Sequence, residues 1–311
     1  MGVDREPGHT TASVKPLRTH SSTRVAQNVA LSTPLSSSVM AAAYGPRWPG
    51  LYAEGVAFQV LSSIRSGPPA DTTPITLLHG FTQTAKCWGP FADQLAAATP
   101  IVAIDLPGHG GSTDVRGDLK QTATMIASAI APSVVIGYSL GGRVALHLAL
   151  AFPELVERLV LIGATGGIDS EIERSQRQSA DETLADHLES VGVETFLDEW
   201  LAQPLFASLT AQQSMREQRS LNSAAGLASS LRLCGVGTQA PLWDRLNNLT
   251  MPVLVLAGSN DEKFSQLGHR LVASIGNNAS FMAIAESGHS AHLENPTAAS
   301  TAVTEWLSKT S

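Results

Sequence analysis

Ser139 stands between two glycines in Gly137-Tyr138-Ser139-Leu140-Gly141, after the apolar run Val134–Gly137. An amphipathic pattern follows it, with Leu140, Val144, Leu148 and Phe152 in helical register. Strand, glycine-flanked turn and helix in that order lift a serine hydroxyl onto a helix N-terminus, where backbone N–H groups favour developing negative charge. Such a hydroxyl reacts only once a base takes its proton. Asp261 in "LAGSNDEKF" and His289 in "AESGHSAHLENP" each follow an apolar run, and the order serine, acid, histidine suits a catalytic triad. "LLHGF", Leu77–Phe81, also ends an apolar run. The N–H groups of Phe81 and Leu140 would together face an oxygen gaining negative charge. His79 and Gly80 are expected to hold that loop.

Arg143 lies four residues beyond Ser139, inside the same apolar helix pattern. That spacing puts it on the serine's side of the helix, about 6 Å along the axis, and helical side chains lean back toward the N-terminus. Two readings stay open from spacing alone: a surface or ion-paired arginine, or a bidentate partner for a ligand carboxylate. His292 follows His289 by three residues, but no HExxH helix or third ligand accompanies the pair, so packing is expected and no metal. "DLPGHGGS", Asp105–Ser112, reads as a tight structural loop. "GATGGI" is not GxGxxG and no P-loop occurs, so no cofactor is implied.

Those residues need a scaffold. Candidate strands are Val56–Leu61, Ile75–Leu78, Ile101–Ile104, Val134–Gly137, Leu159–Ile162, Val253–Ala257 and Ser280–Ile284. Helical patterns fall between them at Trp88–Ala98, Lys120–Ile130, Leu140–Phe152, Glu262–Ile275 and Thr297–Ser308. This alternation predicts a doubly wound, mostly parallel α/β sheet. Residues 51–167 and 249–311 would form that core. Residues 168–248 break the alternation with apolar helical stripes, such as Leu184, Leu188 and Val191, and read as a helical cap over the C-terminal sheet edge.

Residues 1–50 stand apart. No Asp or Glu occurs from His9 to Ala53, and Ser, Thr, Ala and Pro dominate. The segment reads as a disordered extension, or as sequence upstream of a start at Met40, with an organelle transit peptide as the other reading. A net charge of -7 without a dense basic run excludes nucleic acid or an anionic membrane as main partner. No apolar run reaches the ~20 residues of a membrane span. Cys87 and Cys234 lack CxxC spacing and suit reduced thiols in the cytoplasm. Oligomeric state is not legible in the sequence.

Beyond the triad, "DLPGHGGS", "GYSLGGRVALHLA", "FLDEWLAQPLFASL", "GLASSLRLCGVGTQAPLW", "DEKF" and "GHSAHLENP" occur in order between Ile75 and Trp306. With these motifs the chain resembles the 2-succinyl-6-hydroxy-2,4-cyclohexadiene-1-carboxylate synthase family of menaquinone biosynthesis, within the α/β-hydrolase superfamily. The resemblance implies the α/β-hydrolase fold and a triad of Ser139, Asp261 and His289. It implies substrate-gripping arginines at Arg143, Arg177 and Arg219, with Arg174 one turn from Arg177 as the alternative. It implies pocket aromatics at Tyr138 and Trp200. It further implies a small polycarboxylate substrate and elimination of pyruvate rather than hydrolysis. A serine hydrolase of esters or carbon–carbon bonds is the competing reading, and a non-catalytic ligand-binding α/β-hydrolase fold is the third.

Overall fold

The computed structural model describes Gly2, residues 60–69 and residues 72–310. The expectations for residues 1–50, and for the strand's start at Val56, lie outside the described residues. Among the described residues seven strands form one sheet: β1 (Ser63–Ser66), β2 (Ile75–Leu78), β3 (Ile101–Ile104), β4 (Ser133–Tyr138), β5 (Val156–Ile162), β6 (Val253–Gly258) and β7 (Ala279–Ile284). Their order is β1-β3-β2-β4-β5-β6-β7, with every pair parallel except β1–β3. The helices are α1 (Gly89–Ala96), α2 (Leu119–Ala127), α3 (Leu140–Ala151), α4 (Glu171–Leu201), α5 (Arg216–Arg219), α6 (Ala224–Cys234), α7 (Glu262–Ile275), α8 (Ala291–Glu294) and α9 (Pro296–Lys309).

The period-2 geometry of a strand explains why the central strands are apolar throughout. In β4, Val134 and Ile136 enter a core with Phe91 and Leu95 of α1 and Ala299 and Val303 of α9. Val135 turns to the opposite core, with Ile126 of α2, Val144 and Leu148 of α3, and Leu271 of α7. The remaining central strands alternate likewise: Val160 and Leu254 face the first core, Leu159 and Val253 the second. With both faces covered, ligand access is left to the strand ends.

The first strand among the described residues is Ser63–Ser66, antiparallel to β3 at the edge of the described sheet. Of the expected strand Val56–Leu61 only Val60 and Leu61 are described, and they precede β1. An edge strand is held by backbone pairing on one side and needs no continuous apolar run. Leu61 sits before it, buried in the core with Val102 and Ile104.

Between β5 and β6 the chain makes a helical excursion. Ser170 starts α4 by accepting a 3.3 Å hydrogen bond from the Glu173 N–H. The stripe of Leu184, Leu188 and Val191 lies in the first half of this element, which is broken at Gly192 (φ 79°, ψ 169°). Ala185 and Leu188 before the break and Phe196 after it pack with Leu227, Ala228 and Leu231 of α6 as a third cluster, separate from the sheet cores.

Candidate active site

Ser139 occupies the turn between β4 and α3 with φ 50° and ψ −106°. A positive φ is costly for a residue with a Cβ, and the surroundings enforce it. Its N–H donates to Ile162 O at 2.9 Å, and its carbonyl accepts from the Arg143 N–H at 3.1 Å. A Cβ at Gly141 would sit 1.8 Å from the Leu78 carbonyl oxygen. Only glycine lets α3 start that close to the end of β2, and this approach brings the Ser139 turn beside the loop carrying Phe81.

His289 and Asp261 arrive from the loops after β7 and β6. His289 Nδ1 lies 2.9 Å from Asp261 Oδ2, and its Nε2 lies 3.4 Å from Ser139 Oγ. With the Nδ1 proton donated to the carboxylate, Nε2 is left to accept from the serine hydroxyl. The serine bond is at the long end of the range, as is common before a substrate tightens such contacts. Asp261 is itself held by accepting from the Phe264 N–H at 3.1 Å, where it caps α7. The histidine loop is clamped by Glu294, whose carboxylate accepts from Gly288 N at 2.6 Å and Ser290 N at 2.9 Å. The ring of Phe264, at 4.3 Å, and that of Phe206, at 6.3 Å, flank the imidazole. Glu294, Phe206 and Phe264 stand in motifs quoted above, but nothing in their spacing announces these contacts.

The loop after β2 is equally fixed. His79 Nε2 accepts from Leu106 N at 3.0 Å, so its Nδ1–H donates to Gly80 O at 2.8 Å. Burial pushes its pKa down to about 4, which keeps the ring neutral and able to accept. Asp105 ties the neighbouring loop down by accepting from Ala85 N at 2.7 Å and Gly111 N at 2.9 Å. Phe81 and Leu140 both line the cavity beside Ser139. Leu140 is the first residue of α3, so its N–H has no partner within the helix.

A cavity of about 610 Å³ opens over Ser139 and His289, roofed by residues of the excursion. Arg143, Arg177 and Arg219 all line it, in three different states. Arg143 is 9% exposed, and its hydrogen bond among the described residues is a long one, 3.4 Å from Nη1 to Gln239 Oε1. Burial is the main cause lowering its pKa to about 10, so it remains charged at neutral pH. Arg177 is half-exposed and donates from Nε to Asp181 Oδ1 at 2.8 Å. Arg174 turns instead to the carbonyls of Ile168 (2.9 Å) and Asp169 (2.5 Å), so Arg177 is the one that faces the cavity. Arg219 is buried, with Nε on Ser214 O at 2.7 Å and Nη1 on Thr82 Oγ1 and Phe81 O. Much of its donor capacity thus braces the Phe81 loop.

Tyr138 and Trp200 also line the cavity. The Tyr138 hydroxyl lies 2.8 Å from Ser290 Oγ, and burial raises its pKa, so it stays a neutral phenol. Trp200 packs against Phe81, Phe196 and Phe206 at centroid distances of 5.2, 5.8 and 5.8 Å. His292 is enclosed by the rings of Trp88, Phe91 and Tyr138 below the site. Among the described residues no group of three or more His, Cys, Asp or Glu side chains could hold a metal ion, and no helix is long and apolar enough to cross a membrane.

The geometry agrees with known proteins. Residues 77–302 match the model of the alpha/beta hydrolase family. The 2-succinyl-6-hydroxy-2,4-cyclohexadiene-1-carboxylate synthase of Salmonella heidelberg (strain SL476) is 34% identical over 230 residues, covering 71% of this chain and 88% of the relative. The synthase of the same name from Photorhabdus laumondii is 34% identical over 241 residues, covering 74% and 84%. The structure of MenH from S. aureus superposes with a TM-score of 0.74 at 29% identity, over 79% of this chain and 98% of that one. A thermophilic esterase from Thermogutta terrifontis, at 22% identity and a TM-score of 0.70, covers 80% of this chain and 93% of its own, and shares the fold. The chain belongs to the α/β-hydrolase family and, within it, to the 2-succinyl-6-hydroxy-2,4-cyclohexadiene-1-carboxylate synthases.

Proposed function

We propose that this chain is a lyase that eliminates pyruvate from 2-succinyl-5-enolpyruvyl-6-hydroxy-3-cyclohexene-1-carboxylate, giving 2-succinyl-6-hydroxy-2,4-cyclohexadiene-1-carboxylate. The observation that carries this reading is Arg143. A buried guanidinium with one long neutral hydrogen bond, in the cavity of a Ser–His–Asp series, suits an anionic substrate. A simple esterase needs no such cation.

Ring numbering dictates the bond changes. One ring double bond at position 3 becomes a 2,4-diene, so C2 loses a proton and C5 loses its enolpyruvyl oxygen. C2 carries the succinyl ketone, which makes its proton acidic. His289, oriented by Asp261, takes the Ser139 proton as the serine oxygen removes the one at C2. The C–H electron pair moves onto the ketone oxygen, facing the N–H groups of Phe81 and Leu140. Collapse of that enolate shifts the ring double bond and breaks the C5–O bond. The enol of pyruvate leaves with its electron pair and becomes pyruvate on protonation. General base catalysis supplies roughly 10²- to 10⁴-fold, and each oxyanion donor about 2.7–4 kcal/mol of transition-state stabilisation.

In this reading Arg143, Arg177 and Arg219 orient the carboxylates, Tyr138 and Trp200 wall the ring, and residues 168–248 act as the cap that excludes water. The test couples pyruvate release to a dehydrogenase, using freshly made cyclohexene substrate. Pyruvate formation well above background is expected. No pyruvate, alongside rapid turnover of p-nitrophenyl esters, would favour hydrolysis through an acyl-enzyme and sink the synthase reading.

A further inference from the structure

The arginine end of the cavity contains a carboxylate that the elimination does not call for. Asp181 lies on α4, 2% exposed, four residues after Arg177. Its Oδ1 accepts from Arg177 Nε at 2.8 Å, while among the described residues Oδ2 has no hydrogen-bond partner. A Cβ at Gly235 would lie 2.3 Å from that second oxygen, so glycine there is what makes room for the carboxylate. Asp181, Arg177 and Arg143 all line the cavity, and both of the others act on Arg143 electrostatically: Asp181 favours its charged form, Arg177 opposes it.

Two guanidiniums lining one cavity oppose each other's charge, and burying Arg143 without a counter-charge is costly. A ligand offsets this when bound, but the free protein needs an internal solution. The remaining carboxylates of the cavity lining, Asp169 and Glu173, are exposed at its rim, and Asp169 already bonds Arg270 at 2.6 Å.

We propose that Asp181 is the built-in counter-ion of the Arg143–Arg177 pair, a positioning residue that aims Arg177 and sets how strongly this site attracts carboxylates. It acts through the two arginines and touches none of the reacting atoms. With Asp181 ionised, the three side chains carry one net positive charge, matched to a single ligand carboxylate. Without that negative charge they carry two, and the site holds anions more tightly than turnover requires. The inference rests on the anionic-substrate reading above.

Succinate binding, measured by titration calorimetry on the full chain at low salt, tests it without reference to pyruvate release. Asp181→Asn keeps an oxygen for the Arg177 Nε–H and removes the charge. It is expected to bind succinate about tenfold more tightly than wild type, with neutral p-nitrophenyl ester turnover unchanged and a lower KM and kcat on the cyclohexene substrate. Should Asp181→Asn fold poorly, Arg177→Met gives the converse, because Asp181 is then left to neutralise Arg143 alone. Its succinate affinity should fall about 30-fold or more, against the roughly threefold expected for losing an isolated half-exposed cation. Unchanged or weaker succinate binding in folded Asp181→Asn, a threefold or smaller loss in Arg177→Met, or no succinate binding in wild type each overturns the counter-ion. Absent pyruvate release with these shifts intact would sink the synthase reading alone.

Discussion

The two ends of the cavity are built on different principles. At the Ser139 end, each polar group that matters is held by another: Asp261 by an α7 amide, His289 by Asp261 and by a loop clamped to Glu294, and Phe81 on a loop pinned by His79. At the Arg143 end, a charge is buried with one long bond to Gln239, and Asp181 on the helical excursion is the cavity carboxylate that favours its charged form. In the proposed reaction, the fixed first end suits a proton that moves between set atoms. The second end would be completed by a ligand carboxylate. On that reading a hydrolase and a lyase can share the first end, and the second is where their substrates part.

The comparison breaks most severely at the serine. Ser139→Ala should lower kcat/KM by roughly 10⁴-fold or more on anionic and neutral substrates alike, because the members of such a triad act as a unit. Steady-state kinetics on both substrates checks this, and full activity of the alanine variant on either would end the triad assignment. Arg143→Ala should separate the two ends. Losing a buried charge-assisted contact of about 2–5 kcal/mol predicts roughly 30- to several-thousand-fold lower kcat/KM on the tricarboxylate, with little change on a neutral ester. Equal losses on both would make Arg143 a packing residue. Arg143→Lys should recover only part of the activity, since a point charge does not replace a planar fork.

The smallest effect lies beneath the rigid end. Burial among aromatic rings lowers the His292 pKa from 6.5 to about 3. A histidine depressed in the folded state binds fewer protons than in the unfolded chain. Its contribution to stability is therefore complete above pH 6.5 and is lost as the pH falls toward 3. In that window His292 adds a slope of up to about 1.4 kcal/mol per pH unit. His292→Gln should flatten the fall of Tm with acid, measured by thermal denaturation from pH 7 to pH 4. A slope identical to wild type would mean that His292 does not titrate in this way.

Much of this was readable from the chain. β2 and β3 fall where their apolar runs do, because a strand covered on both faces cannot hide its composition. β1 has no apolar run to announce it, because an edge strand can be nearly polar and still pair. Ser139 announced itself through the glycines that its turn requires. Arg177 was picked out by the resemblance, but neighbouring Arg174 offered a rival that only the course of the chain before α4 disqualified, and the Asp181 partner of Arg177 emerges only in the fold.

What the sequence determined by itself was local: strand and helix periods, the serine turn, and the chain order of serine, aspartate and histidine. Each follows from short-range sterics or from a repeat of 2 or 3.6 residues. What only the tertiary structure decided was which distant groups share a charge. His289 meets Ser139 across 150 residues, and Arg143 feels Asp181 from a helix that returns over the sheet edge. Burial creates those couplings by removing water from between the groups. Burial is a property of the assembled layers, and no local stretch of sequence contains it.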